Sequence, residues 1–156
     1  MPKPEYGRIK SGDGPSINYA AKLAVCDELR KRGVAARPGR MNDGRILLES
    51  ANAPTIRVKA KTSAALGWRW NAKEGVVFQE ISHSDFCVLV ELSDKGSPAG
   101  YFIVPTKEVD RKLREAFKKW LDDKPGRSES NPVWFLGDHQ YQRDWLQGYR
   151  DWGLLA

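Results

Sequence analysis

Three cations recur at every second position in the stretch TIRVKAK, where Arg57, Lys59 and Lys61 alternate with Ile56, Val58 and Ala60. A spacing of two places the two sets on opposite faces of a β-strand. One face is apolar and suits a core. The other carries three like charges, which repel one another and are tolerable on a wet surface or beside an anion. Trp68 and Trp70 repeat the same spacing in GWRWN, so both rings share one side. Beside a basic strand such rings either stack nucleobases, at roughly 1 to 3 kcal/mol each, or close a hydrophobic lid over the sheet edge. Asp43 and Glu49 lie two before and four after Arg45, on the same strand face as that arginine.

Other reactive residues point to structure. His83 and His139 are too few and too distant for a zinc site, and His139 beside Asp138 reads as a capping arrangement at a helix start. Asp85, just before an apolar run, reads as a turn or cap residue. Cys26 and Cys87, in an expected helix and an expected strand, read as small buried hydrophobes rather than a disulfide. CxxC, GxxxxGK and GxSxG are absent, which leaves no motif for a cysteine-metal site, a phosphate loop or a nucleophile elbow.

These residues need a scaffold to position them. Met1 to Pro15 is rich in Pro and Gly and reads as a flexible arm, with residues 16–156 as one domain. Ser16 is placed to cap a helix whose apolar positions Ile17, Ala20, Ala21, Ala24, Val25 and Leu29 run until Gly33. Ile46 to Leu48 and Thr55 to Lys61 form a hairpin around the turn Ala51 to Pro54. Gly75 to Ile81 is a further apolar run. Phe86 to Leu92, the most apolar stretch, reads as a central strand, followed by a turn at Ser93 to Gly100 and a strand at Tyr101 to Val104. Thr106 is placed to cap a second helix with the apolar stripe Val109, Leu113, Ala116, Phe117, Trp120 and Leu121, and with Lys107, Arg111, Lys118 and Lys119 in solvent. A strand at Val133 to Leu136 and a helix at Asp138 to Tyr149 follow. Trp152, Leu154 and Leu155 dock the C-terminus.

The chain of 156 residues is one domain long. Its formal charge of +6 attracts polyanions in a salt-dependent way. It contains no run of about 20 apolar residues and no apolar leader, which points to a soluble, cytoplasmic protein without a membrane partner. No coiled-coil pattern decides whether it forms a homodimer.

The pieces AAKLAVCDELRKRG, RILLES, IRVKAK, SDFCVLVEL, AGYFIVP and YRDWGLL, in this order from about Tyr19 to Leu155, resemble small bacterial members of the PD-(D/E)XK, or restriction-endonuclease-like, superfamily. The resemblance implies an α/β fold with a mixed central sheet flanked by helices. In such nucleases a helix glutamate, a strand aspartate and the first residue of an (E/Q)xK triplet surround a divalent cation, and the lysine supports the nucleophile. The corresponding positions here hold Lys22, Arg45, Arg57 and Lys59, so only the lysine is kept. Magnesium needs oxygen donors, and cations in their place could hold a phosphate directly. The resemblance therefore implies a nucleic-acid-binding protein, for DNA in the first instance, with a degenerate active site and no cofactor, acting through Lys22, Arg45, Arg57, Lys59 and Lys61. Two alternatives stay open: a magnesium-dependent endonuclease using Asp43, Glu49 and Lys59, and a protein-interaction or inhibitor module on the same scaffold.

Overall fold

The computed structural model describes residues 14–38, 45–48, 54–62, 65, 67–78, 80–82, 84–93, 95, 97–137 and 144–152. Helix α1 (Gly14–Lys31) precedes the strands β1 (Ala36–Pro38), β2 (Arg45–Leu48), β3 (Ile56–Thr62), β4 (Gly67–Asn71), β5 (Phe86–Leu92) and β6 (Pro98–Pro105); helix α2 (Thr106–Asp123) and strand β7 (Val133–Gly137) follow. Five strands form a mixed sheet in the order β1-β2-β3-β5-β6. All neighbours are antiparallel except β3 and β5, which run parallel from Ile56 beside Phe86 to Thr62 beside Leu92. A parallel pair needs a long crossover between its strands. Here the crossover carries β4, which pairs with β7 in a separate two-stranded ribbon.

The alternation in β3 divides the interior into two cores. Ile56, Val58 and Ala60 face α1 and join Ala20, Ala21, Val25, Cys26 and Leu29 with Val88, Val90, Leu92 and Ile103. On the other face, Cys87, Leu89, Phe102 and Val104 are covered by Val109 and Leu113 of α2 and by Trp68, Trp134 and Leu136 of the ribbon. The apolar run Phe86–Val90 of β5 follows from this arrangement, since its side chains meet a core on both sides. β5 is an interior strand, while β3 is the middle one of the five.

Helix α1 ends as its sequence dictates. Gly33 takes φ +83°, its amide donates to Arg30 O at 3.0 Å, and the Val34 amide donates to Leu29 O at 2.9 Å. These two bonds close a Schellman motif, in which a left-handed glycine satisfies the last helical carbonyls. The start differs slightly from the sequence expectation. The helix opens at Gly14, so residues 14–15 belong to it rather than to the arm, and residues 1–13 lie outside the described ones.

Two other expectations are corrected. Thr106 is buried and is the first residue of α2, preceded by Pro105 without a side-chain cap bond; its hydroxyl pairs with Cys87 Sγ at 3.4 Å and its amide donates to Asp85 O at 2.9 Å. The apolar run from Gly75 opens in a tight turn that Lys73 and Val76 close, with Glu74 at φ 53° and Gly75 at φ 79°, after which Phe78 enters the second core. The strand expected from Tyr101 begins already at Pro98. Near the C-terminus, residues 144–146 are helical and Trp152 packs on Tyr101, ring centroids 5.1 Å apart. Asp138, His139, Tyr141, Leu154, Leu155 and His83 lie outside the described residues. Among the described residues no helix is long and apolar enough to cross a membrane.

Candidate nucleic-acid interface

Arg57, Lys59 and Lys61 point away from α1, as their spacing requires, but the face they occupy is not a wet one. Each cation lies against an aromatic ring of the covering layer: Arg57 Cζ is 5.5 Å from the Phe78 centroid, Lys59 Nζ 5.6 Å from Trp70 and Lys61 Nζ 5.2 Å from Trp68. The strand period of two in GWRWN matches the period of the basic ladder, so the tryptophans pair off with the lysines. Trp68 is fully buried and its indole N–H donates to Val90 O at 3.1 Å, which makes it a lid and removes it as a base-stacking platform. Trp70 is half-buried.

The parallel register sets the second partner of each cation. Lys61 stands beside Glu91, and at 1% exposure its Nζ lies 3.9 Å from Glu91 Oε1 and donates to Thr62 O at 3.3 Å and Ala65 O at 3.4 Å. It is a satisfied interior lysine. Lys59 stands beside Leu89, and burial alone holds its ammonium pKa below the usual lysine value. Arg57 stands beside Cys87 and reaches Asp85, with Nη1 donating to Oδ2 at 3.4 Å and Nη2 to Glu80 O at 3.0 Å.

Asp85 is the hub of this end of the sheet. Its carboxylate also accepts from the amides of Thr55 at 3.2 Å and Ser82 at 3.0 Å. Burial pushes its carboxyl up, but the Ser82 and Thr55 amides and the Arg57 guanidinium outweigh that effect and hold it below the usual aspartate value. The turn role read from its position is present, and the ion pair with Arg57 is an addition that sequence spacing does not reveal, because it spans 28 residues.

Lys22 and Arg45 go to different places. Lys22 is buried on α1, with its Nζ 5.5 Å over the Tyr19 ring and Cys26 within its field, on the helix that covers the opposite sheet face. It does not join the ladder. Arg45 is the register partner of Arg57 in the antiparallel β2–β3 pair, so the two side chains leave the same face side by side. Arg37 shares that face, because its neighbours Ala36 and Ile46 turn toward α1. Among the described residues the second core draws nothing from β1 or β2, and both Arg37 and Arg45 are exposed. The open part of the sheet is thus an arginine surface: Arg37, Arg45 and, at 16% side-chain exposure on its border, Arg57. No sequence motif marks Arg37, and only the strand pairing places it here.

This donor set does not suit magnesium. The side chains of Lys22, Arg45 and Arg57 offer protonated nitrogen and no oxygen. Among the described residues no group of three His, Cys, Asp or Glu is placed to hold a metal ion, and Asp43 and Glu49 lie outside them. Cys26 and Cys87 are buried free thiols, each pushed up to about 11 by burial, which makes them inert packing groups as expected. Comparison with protein families, with curated proteins and with solved structures returns no match.

Proposed function

We propose that this chain binds nucleic acid, DNA in the first instance, by holding the phosphate backbone on Arg37, Arg45 and Arg57, and that it does so on a restriction-endonuclease-like scaffold without metal-dependent cleavage. One observation carries this reading: the β2–β3 register sets Arg45 against Arg57 on an open sheet face that Arg37 extends. A phosphate seated beside the two guanidiniums accepts charge-assisted hydrogen bonds from both. The formal charge of +6 adds long-range attraction. The scaffold is supported by element order. The first helix, the hairpin, the two apolar strands and the second helix that underlie the resemblance are α1, β2–β3, β5, β6 and α2, built into one mixed sheet.

The site differs from the one the motif alone implies. Lys61 and Lys22 contribute to folding, and the contact surface shifts from the ladder toward the β1–β2 edge. Electrophoretic mobility of labelled duplex DNA tests the reading: the complex weakens steeply with salt, and Arg45→Glu weakens it at every salt concentration. Binding that ignores both salt and Arg45→Glu contradicts it.

A second reading, a metal-dependent endonuclease using Asp43, Glu49 and Lys59, is favoured by one feature. Lys59 occupies the motif lysine position and its ammonium is desolvated, as suits a lysine that exchanges protons. Plasmid cleavage in magnesium or manganese, lost on Asp43→Ala, supports that alternative; intact plasmid removes it.

A further inference from the structure

We infer that Asp85 is a positioning residue for phosphate recognition: it turns Arg57 into a fixed fork beside Arg45 rather than merely neutralising it. The inference rests on the nucleic-acid reading above. Three contacts define the Arg57 guanidinium. One nitrogen donates to Asp85 Oδ2, the other terminal nitrogen to Glu80 O, and Cζ lies 5.5 Å from the Phe78 ring centroid. A guanidinium has five N–H groups, so among the described residues about three remain for a ligand. An arginine held through two of its nitrogens and against a ring loses little further freedom on binding an oxyanion.

Asp85 is itself held in place. The Thr55 and Ser82 amides fix its two oxygens, its own amide donates to Ser82 O at 3.1 Å, and its carbonyl receives the Thr106 amide. The carboxylate is 7% exposed, so it meets Arg57 from the protein side. Arg57 therefore stands between a buried anion behind it and the exposed cation Arg45 beside it. This order resembles a histidine backed by a carboxylate, in which the buried acid fixes the orientation of the group that meets the ligand.

Positioning and neutralisation predict opposite signs. Asp85→Asn raises the net charge by one, so simple electrostatics makes DNA binding tighter. A positioning role makes it weaker, by about fivefold, equivalent to ~1 kcal/mol. The experiment is a salt-titrated fluorescence anisotropy measurement with a labelled DNA duplex, on the full chain and on Asp85→Asn, Arg57→Lys and the double variant. Weaker binding by Asp85→Asn, with no further weakening in the Arg57→Lys background where no fork is left to orient, is the expected result. Equal or tighter binding by Asp85→Asn overturns the inference while leaving the nucleic-acid reading intact, and so does equal weakening in both backgrounds. No salt-sensitive binding by the unaltered chain overturns both. Should Asp85→Asn not fold, the side-chain nitrogen NMR signals of the unaltered protein decide. Separate Arg57 Nη1 and Nη2 signals, held apart by the bonds to Asp85 and Glu80 and shifting on adding DNA, support the inference; Nη signals averaged by free rotation, as in a free arginine, overturn it.

Discussion

Lys59 and Lys61 sit two residues apart on one face of β3, and removing them has opposite consequences. Lys61 is satisfied: Lys61→Met takes the cation from beside Glu91 and the donor from two carbonyls, and lowers stability by about 2 to 3 kcal/mol in urea unfolding. Lys59 is held below its usual pKa of 10.5 by burial, so its charged form costs stability in the fold. Between its folded pKa and 10.5 the unfolded chain binds more protons, and stability rises with pH across that window. Lys59→Met therefore stabilises the protein at pH 7, and the gain fades as pH approaches the free-lysine value; a gain that grows with pH contradicts this. Asp85 acts in the other direction. Its folded pKa lies below 3.8, so its contribution is complete above that value and is lost as pH falls through the folded pKa. In acid-unfolding curves Asp85→Asn flattens the loss of stability below pH 3.8.

At the scale of elements, the period of two is the most informative signal. It is visible in TIRVKAK and GWRWN, and it correctly yields β3, β4 and the apolar face against α1. What it does not contain is the partner of each face. That β4 folds back over β3, placing Trp68 on Lys61 and Trp70 on Lys59, depends on pairing with β7 across some 65 residues, a contact no local pattern encodes. The same holds for Thr106, whose residue type suits a cap but whose hydroxyl is taken by Cys87 on a neighbouring strand. The ribbon also has a tight point. A Cβ on Gly67 meets the Leu136 carbonyl, with Gly137 Cα and the Phe135 ring both 2.8 Å away. Two of these three are backbone and cannot turn aside, so Gly67→Ala forces β4 from β7 and costs about 1 to 3 kcal/mol, read as a lowered Tm. An unchanged Tm means that the ribbon is not closed there.

For the whole molecule, the charge of +6 is legible from composition, but its distribution is not. Part of the basic character is taken up within the protein: Lys22, Lys61 and Lys112 are buried, and on the exposed face of α2 Arg111, Arg114 and Lys119 pair with Glu108, Glu115, Asp110 and Asp123. The sheet edge at β1–β2 keeps Arg37 and Arg45 exposed on one face, the phosphate-binding surface we propose. The most direct test is the salt dependence of duplex DNA binding for the unaltered chain, for Arg37→Ala/Arg45→Ala and for Lys118→Ala/Lys119→Ala, which remove equal charge from different places. The arginine pair is predicted to lower the slope of log affinity against log salt by about 2, one for each phosphate that the variant no longer neutralises, while the α2 pair leaves it unchanged. Equal reductions by both pairs reflect net charge alone and contradict a defined arginine surface.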